Sequence, residues 1–207
     1  NFYDMDYDNQ LVQTGQLSDI GEALTTNVKK SYRMGVEISA GWAPFSWMSL
    51  EGNAALSENK IKDFDEYVAA NDADWNPIDP VCTHYSNSTL AYSPSAILNG
   101  FVDFHHKGFS ATWHTNFVSK QYLNNSEFSS MPCYSQSDLS LAYQSDVKKA
   151  LGIKNVKVGL DFNNVFARHY AMMAYDFGEY VDGKRGNWFS YIPAAGFNIM
   201  AHLTLKF

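Results

Sequence analysis

Every second residue from Phe197 to Phe207 is apolar (Phe197, Ile199, Ala201, Leu203, Leu205, Phe207), with Asn198, His202, Thr204 and Lys206 among the residues between them. A period of two belongs to a strand with two unlike faces and is incompatible with a helix. The pattern recurs upstream. Tyr32, Met34, Val36, Ile38, Ala40 and Trp42 alternate with Arg33, Gly35, Glu37 and Ser39, and Phe109, Ala111, Trp113 and Phe117 alternate with Ser110, Thr112, His114 and Asn116. Similar runs fall near 47–62, 89–105, 134–145 and 155–170, and with the opening run Asn1–Tyr7 they predict about eight strands. An aromatic content of 15% agrees with a strand-rich, ordered chain.

Such strands need a partner for their apolar faces: a second sheet in a soluble sandwich, or lipid around a barrel. The connections favour the barrel, because they are expected to be tight at Ala43–Phe45 and His106–Gly108 and moderate at Ser145–Asn155. Between them lie long polar stretches at about 8–25, 68–88, 124–133 and 174–190. Outer-membrane barrels sort their connections in this way, with short periplasmic turns and long outer loops. That arrangement puts Phe207 on the periplasmic side. Trp42, Trp47, Trp113, Tyr122, Tyr143 and Phe207 fall near strand ends, where an interfacial girdle is expected, although strand-rich proteins also simply bury aromatics. The fold class expected is therefore all-β: an antiparallel, up-and-down transmembrane β-barrel of about eight strands.

Composition removes other classes. With 22 acidic and 15 basic residues the net charge is -7, and no block of Lys and Arg provides the footprint of a nucleic-acid binder. The uncharged stretch Ile38–Leu50 is too short for a membrane-spanning helix, and a mean hydropathy of -0.31 suits a barrel as well as a soluble protein. Asn1 opens the chain without Met or a basic-then-apolar leader, so the start is expected to be a processed end or a cut. Cys82 and Cys133 form no metal or redox motif; a single disulfide and two free thiols both remain open.

Chemistry-bearing patterns are sparse. Adjacent His105 and His106 point to opposite faces of a strand, so together with His114 they make no chelate. Asp72, Asp74 and Asn76 have the one-three-five spacing of a calcium loop, but Pro77 stands where that loop requires Gly and Thr83 where it requires Glu. A solvated acidic loop is the simpler reading, and no metal or cofactor is expected. Glu37 and Glu51 on neighbouring strands read as carboxylates lining a wet lumen. No nucleophile elbow and no Gly-rich phosphate loop are present, so an enzyme is not expected. For recognition, the long loops offer Trp75, Tyr85, Tyr175, Phe177, Tyr180, Trp188 and Tyr191, which suit stacking on sugars or flat ligands and equally suit packing loop against loop.

In order along the chain, Ser31-Tyr32-Arg33-Met34-Gly35-Val36-Glu37, Ser93-Pro94-Ser95, Phe117-Val118-Ser119-Lys120-Gln121-Tyr122-Leu123-Asn124-Asn125, Leu160-Asp161-Phe162-Asn163-Asn164-Val165-Phe166 with Tyr170, and Leu203-Thr204-Leu205-Lys206-Phe207 resemble the C-terminal part of the barrel of TonB-dependent outer-membrane receptors, most closely those of Bacteroidetes-type bacteria. The resemblance covers nearly the whole chain. It implies active import of a siderophore, haem, cobalamin or glycan, energised through TonB, and a terminal Phe207 presented to the barrel-assembly machinery. The resemblance also implies a bacterial outer-membrane location, with lipid, the plug, the remaining barrel strands, TonB and a small-molecule or glycan substrate as partners. The family's barrel has 22 strands around a plug, whereas residues 1–207 supply about eight strands and no plug. The chain is thus expected to be either a C-terminal barrel piece, which the resemblance favours, or a stand-alone eight-stranded barrel with an adhesin or envelope-structural role.

Overall fold

The computed structural model describes all residues except 19, 21 and 151, and the side chains of all but those and 15–17, 23 and 148–150. Its strands are β1 (Phe2–Leu17), β2 (Ala23–Phe45), β3 (Met48–Asn71), β4 (Pro77–Thr89), β5 (Ala96–His106), β6 (Phe109–Val118), β7 (Gln121–Tyr122), β8 (Ser130–Met131), β9 (Tyr134–Ala150), β10 (Ile153–Asn163), β11 (Ala171–Asp176), β12 (Tyr180–Val181), β13 (Lys184–Arg185), β14 (Phe189–Pro193) and β15 (Asn198–Lys206). Eight of them form the wall, an antiparallel meander in the order β1-β2-β3-β5-β6-β9-β10-β15. Among the described residues the two margins, β1 and β15, do not pair with each other, so the wall is an open part of a barrel rather than a closed eight-stranded one.

Residues directly opposite one another in antiparallel strands share a face, and the register converts the period of two into continuous rows. One row runs Ile199–Phe162–Leu139–Trp113–Val102–Leu50–Trp42 across seven strands. A second runs Ala201–Leu160–Leu141–Ala111–Phe104–Met48. The opposite face carries Gln136–Asn116–Asn99–Asn53–Ser39. Its amides are linked side by side: Asn116 Nδ2 donates to Asn99 Oδ1 at 3.0 Å, and Asn99 Nδ2 to Asn53 Oδ1 at 2.9 Å. On the same face Ser140 donates to Asp161 at 2.7 Å, and the His114 ring stacks on Phe101. The apolar side chains of the first face are unburied. Trp42 is 66% exposed, Ile199 54% and Leu203 63%.

The wall has one end of tight turns and one of long excursions. Chain reversals at Ser46–Trp47 and Lys107–Gly108 make the tight end, and Gly108, with φ of 85°, supplies the left-handed residue its turn needs. The tight turn expected at Ala43–Phe45 is corrected: those residues extend β2, and Phe45 pairs with Met48. Ser145–Asn155, expected as a moderate connection, is mostly strand, with Ala150 paired to Ile153; residue 151 lies outside the described residues.

Two further expectations fail at the opposite end. Residues 8–25, read as a loop, continue β1 and β2 as a paired ribbon to Leu17↔Ala23, apart from residues 19 and 21, which lie outside the described ones. Residues 68–88 are likewise strand, because β3 extends to Asn71 and β4 returns along it. β4 and β5 then share one edge of β3, β4 pairing with Lys60–Asn71 and β5 with Met48–Leu56. The strand expected at 89–105 therefore begins only at Ala96, since Thr89 ends β4 and 90–95 divide the two, and the one expected at 155–170 stops at Asn163.

Among the described residues, buried hydrophobic groups gather at this end alone. Val12, Val28, Ile61 and Leu90 cluster with Phe64, and Leu123, Met131 and Ala174 cluster with Tyr92, Ala171 and Phe189. β7 and β8 pair in one excursion; β11 and β14 pair in another, whose tip is the β12–β13 hairpin.

Candidate functional site

The candidate site lies at the long-loop end, where two hairpin tips meet. The first tip, residues 72–76, is held by Asp72, whose Oδ1 accepts the backbone N–H groups of Asp74 and Asn76, each at 2.9 Å. Asn76 Nδ2 adds a bond to Oδ2 at 3.0 Å. These donors, the Asn76 side chain first, hold the Asp72 carboxyl below the usual carboxylate range. The acidic run thus caps its own turn and presents Trp75, which has a left-handed φ of 64° and is 55% exposed.

The second tip is the finger formed by β12 and β13. It joins β3 in parallel, Tyr180 opposite Ala70 and Val181 opposite Asn71. Asn71 Nδ2 donates to Glu179 Oε2 at 2.7 Å, and the Asp182 N–H donates to the Asn71 carbonyl at 3.1 Å. At the base of the finger Arg185 meets Glu66 of β3 through two bonds, Nη1 to Oε2 at 2.7 Å and Nη2 to Oε1 at 3.2 Å. The two side chains are only 8% and 13% exposed. Arg185 also lies over the Phe128 ring, 4.1 Å from its centroid. Burial works to lower the Arg185 pKa, but the hydrogen bonds and charge of Glu66 outweigh it and raise it above the ordinary value.

The excursion between β6 and β9 fills the space between these elements and the β1–β2 ribbon. Asn124 Nδ2 donates to Asp176 Oδ2 at 2.7 Å, Ser129 donates to the same oxygen at 2.8 Å, and Asp176 Oδ1 accepts the Gly178 N–H at 2.8 Å. Asn125 donates to the Gln13 carbonyl and accepts from the Ala91 N–H. Ser126 donates to Glu66 Oε1 at 2.8 Å. Burial tends to raise the Glu127 carboxyl, yet the Thr89 donors and the Lys60 ammonium hold it below its usual range. Beside this network a cavity of about 140 Å³ opens between Thr14, Phe64, Glu66 and Asn125.

The seven loop aromatics divide on this geometry. Trp75 and Trp188 come together in a stack, with centroids 5.7 Å apart and planes 11° apart, although 113 positions separate them in sequence. Phe177 is next to Trp188, its N–H donating to the Trp188 carbonyl at 2.9 Å, and Tyr191 meets Phe189 edge to face. Phe177 and Tyr191 are exposed. Tyr85 instead stacks on Phe64, and burial followed by the Glu66 charge raises its pKa; Tyr180 is partly buried beside it. Tyr175 is also half-buried, its hydroxyl donating to Met173 Sδ at 2.6 Å.

Sequence reading missed Glu66, Asn124, Asn125, Asp176 and Arg185, the polar groups that fix this end. Only the Asn124-Asn125 pair carried a signal, since two adjacent amides in a loop are well suited to bonding backbone groups. Cys82 and Cys133 are free and exposed. His105 and His106 pair with Ser110 and Phe109, away from His114, and among the described residues no three His, Cys, Asp or Glu side chains surround one ion position.

A two-faced antiparallel wall, open at both margins and crowned at one end by packed excursions, defines part of a large β-barrel. The TonB dependent receptor-like, beta-barrel family model matches residues 1–165, and the chain belongs to that family. Solved structures agree in fold. The copper transporter OprC superposes with a TM-score of 0.65 at 17% identity, covering 98% of this chain and 28% of OprC. The siderophore receptor PiuA from Acinetobacter baumannii gives 0.64 at 15% identity, covering 99% of this chain and 25% of PiuA. Unliganded ferric citrate transporter FecA gives 0.61 at 15%, covering 99% and 28%. The chain therefore spans about a quarter of the length of these proteins. No curated protein sequence matches it.

Proposed function

We propose that residues 1–207 are the C-terminal part of the barrel of an outer-membrane TonB-dependent importer, supplying wall and outer loops and no catalysis. The observation that carries this reading is the exposed apolar face. Rows of unburied Leu, Val, Phe and Trp side chains running across the wall are untenable in water and match a lipid-facing band. Phe197, Ile199, Ala201, Leu203, Leu205 and Phe207 then face lipid, and the amide and carboxylate rows face the lumen. The tight turns lie on the periplasmic side and the crowned end outside. Strands β5, β6, β10 and β15, of 11, 10, 11 and 9 residues, fit the roughly 9–11 residues needed to cross. The 23 residues of β2 and 24 of β3 continue well beyond that span.

Family membership supports TonB-dependent uptake, with the energy coupled through a plug and TonB, the remaining strands joining at β1 and β15, and Phe207 read by the barrel-assembly machinery. OprC, PiuA and FecA are named for copper, siderophore and ferric citrate, so a metal chelate is one substrate class and a glycan another. Trp75, Tyr175, Phe177, Trp188 and Tyr191 are the loop side chains placed to meet such a ligand, while Tyr85 and Tyr180 support the loops from beneath. Comparative uptake profiling tests the reading: deleting the gene and deleting tonB should abolish import of the same nutrient. An envelope-integrity defect with all uptake intact would instead support a structural barrel.

A further inference from the structure

We infer that Glu66 and Arg185 are positioning residues: their buried ion pair holds the two hairpin tips in the one arrangement that assembles Trp75 and Trp188 into a single outward-facing surface. The inference rests on the proposed reading that these loops meet the ligand. Neither tryptophan can make the surface alone, because Trp75 sits on the β3–β4 turn and Trp188 follows the finger. A ring stack of two half-exposed indoles is a weak clamp, and Asn71 meets Glu179 and Asp182 through one hydrogen bond each, at 2.7 and 3.1 Å.

The Glu66–Arg185 pair differs in three ways. Both side chains are almost fully enclosed, so water cannot replace either partner without exposing the network. The guanidinium fork fits the carboxylate through two bonds, which fixes orientation as well as distance. Finally, Ser126 and Phe128 of the intervening excursion bind the same pair, one bonding Glu66 and the other lying under Arg185, so three segments are tied at one point. Arg185 precedes Trp188 by only three residues, and Phe177 and Gly186 hydrogen-bond across the finger to Trp188 and Glu179, so a shift of Arg185 carries Trp188 with it.

The test uses the full-length receptor in detergent, without ligand. Two indoles in contact whose in-plane transition moments are skewed give a paired positive and negative band in far-ultraviolet circular dichroism that neither gives alone, and the difference between the unaltered receptor and Trp75→Phe defines that signal. Glu66→Gln should lose the band pair and open the finger to trypsin at Lys184 and Arg185, with the barrel still folded by heat-modifiable gel mobility. The exchange Glu66→Arg with Arg185→Glu should regain the band pair and the protection. A Glu66→Gln protein that keeps the band pair overturns the inference, and so does a folded double exchange that fails to regain it. Both readouts are taken without ligand, so their failure refutes the clasp alone; intact uptake in Trp75→Ala with Trp188→Ala would refute the ligand reading alone.

Discussion

Placing Arg at Leu203 and, separately, at the adjacent His202 tests which face of β15 meets lipid. Leu203 is opposite Val158 and 63% exposed, on the face with the apolar rows. His202 is opposite Gly159 on the other face, with its Nδ1 3.3 Å from Asp161 Oδ2. Leu203 lies four positions before Phe207. At about 3.3 Å per residue and a tilt near 45°, Leu203 stands about 9 Å above the chain end, close to the middle of a band about 25 Å tall. Arg there should cost about 2–4 kcal/mol, the range for a cation near the bilayer midplane. At His202 the guanidinium reaches lumen water and Asp161, and the change should stay within about 0.5 kcal/mol. Urea titrations of the full-length receptor in phospholipid vesicles, followed by tryptophan fluorescence, measure both. Equal costs would refute a two-faced membrane strand, and the reverse order would show that the faces have been exchanged, as a one-residue slip in register does.

Deleting Phe207 should reduce insertion into the outer membrane of cells more than refolding in detergent, measured by heat-modifiable mobility in both settings; equal effects would count against recognition by the assembly machinery. Gly108→Ala drives a Cβ into the Gln144 carbonyl oxygen at a φ of 85°, and should destabilise the barrel by about 1–3 kcal/mol in the same urea titration. Burial pushes the Tyr92 phenol from 10.0 up to about 12, its hydroxyl donating to the Ala174 carbonyl. Because the folded value exceeds the unfolded one, this contribution is complete below pH 10 and is lost as the pH rises towards 12. Tyr92→Phe should therefore flatten the alkaline loss of loop order seen by limited proteolysis across that window, and an unchanged profile would exclude Tyr92 as its source.

The wall was legible in the sequence because lipid and lumen impose opposite chemistry on alternate residues, as from Phe197 to Phe207 and from Tyr32 to Trp42. Beyond the membrane that demand ends, and so does the signal. Asp8–Gln13 pair with Thr25–Lys30 as strands through their backbones, with polar side chains on both faces, and so residues 8–25 read as loop. β4 was hidden further by Pro77 and Pro80, which an edge tolerates because its outer N–H groups have no strand to meet. At the site, aromatics are visible by residue type, which is why the sequence singles out Trp75 and Trp188. Their stacking was not, and neither was the pairing of Glu66 with Arg185 across 119 positions, because no local pattern encodes a contact between separate loops.

The division of the β3 edge between β4 and β5 has an evolutionary consequence. Residues 90–95 act as a joint: below it the strand register is locked to the neighbouring wall, while above it β4, among the described residues, pairs with β3 alone. Insertions or deletions in the outer hairpin are absorbed there without sliding the lower strands, where a shift of one residue would turn charges into lipid. The outer crown can therefore vary in length and sequence while the wall beneath it stays unchanged.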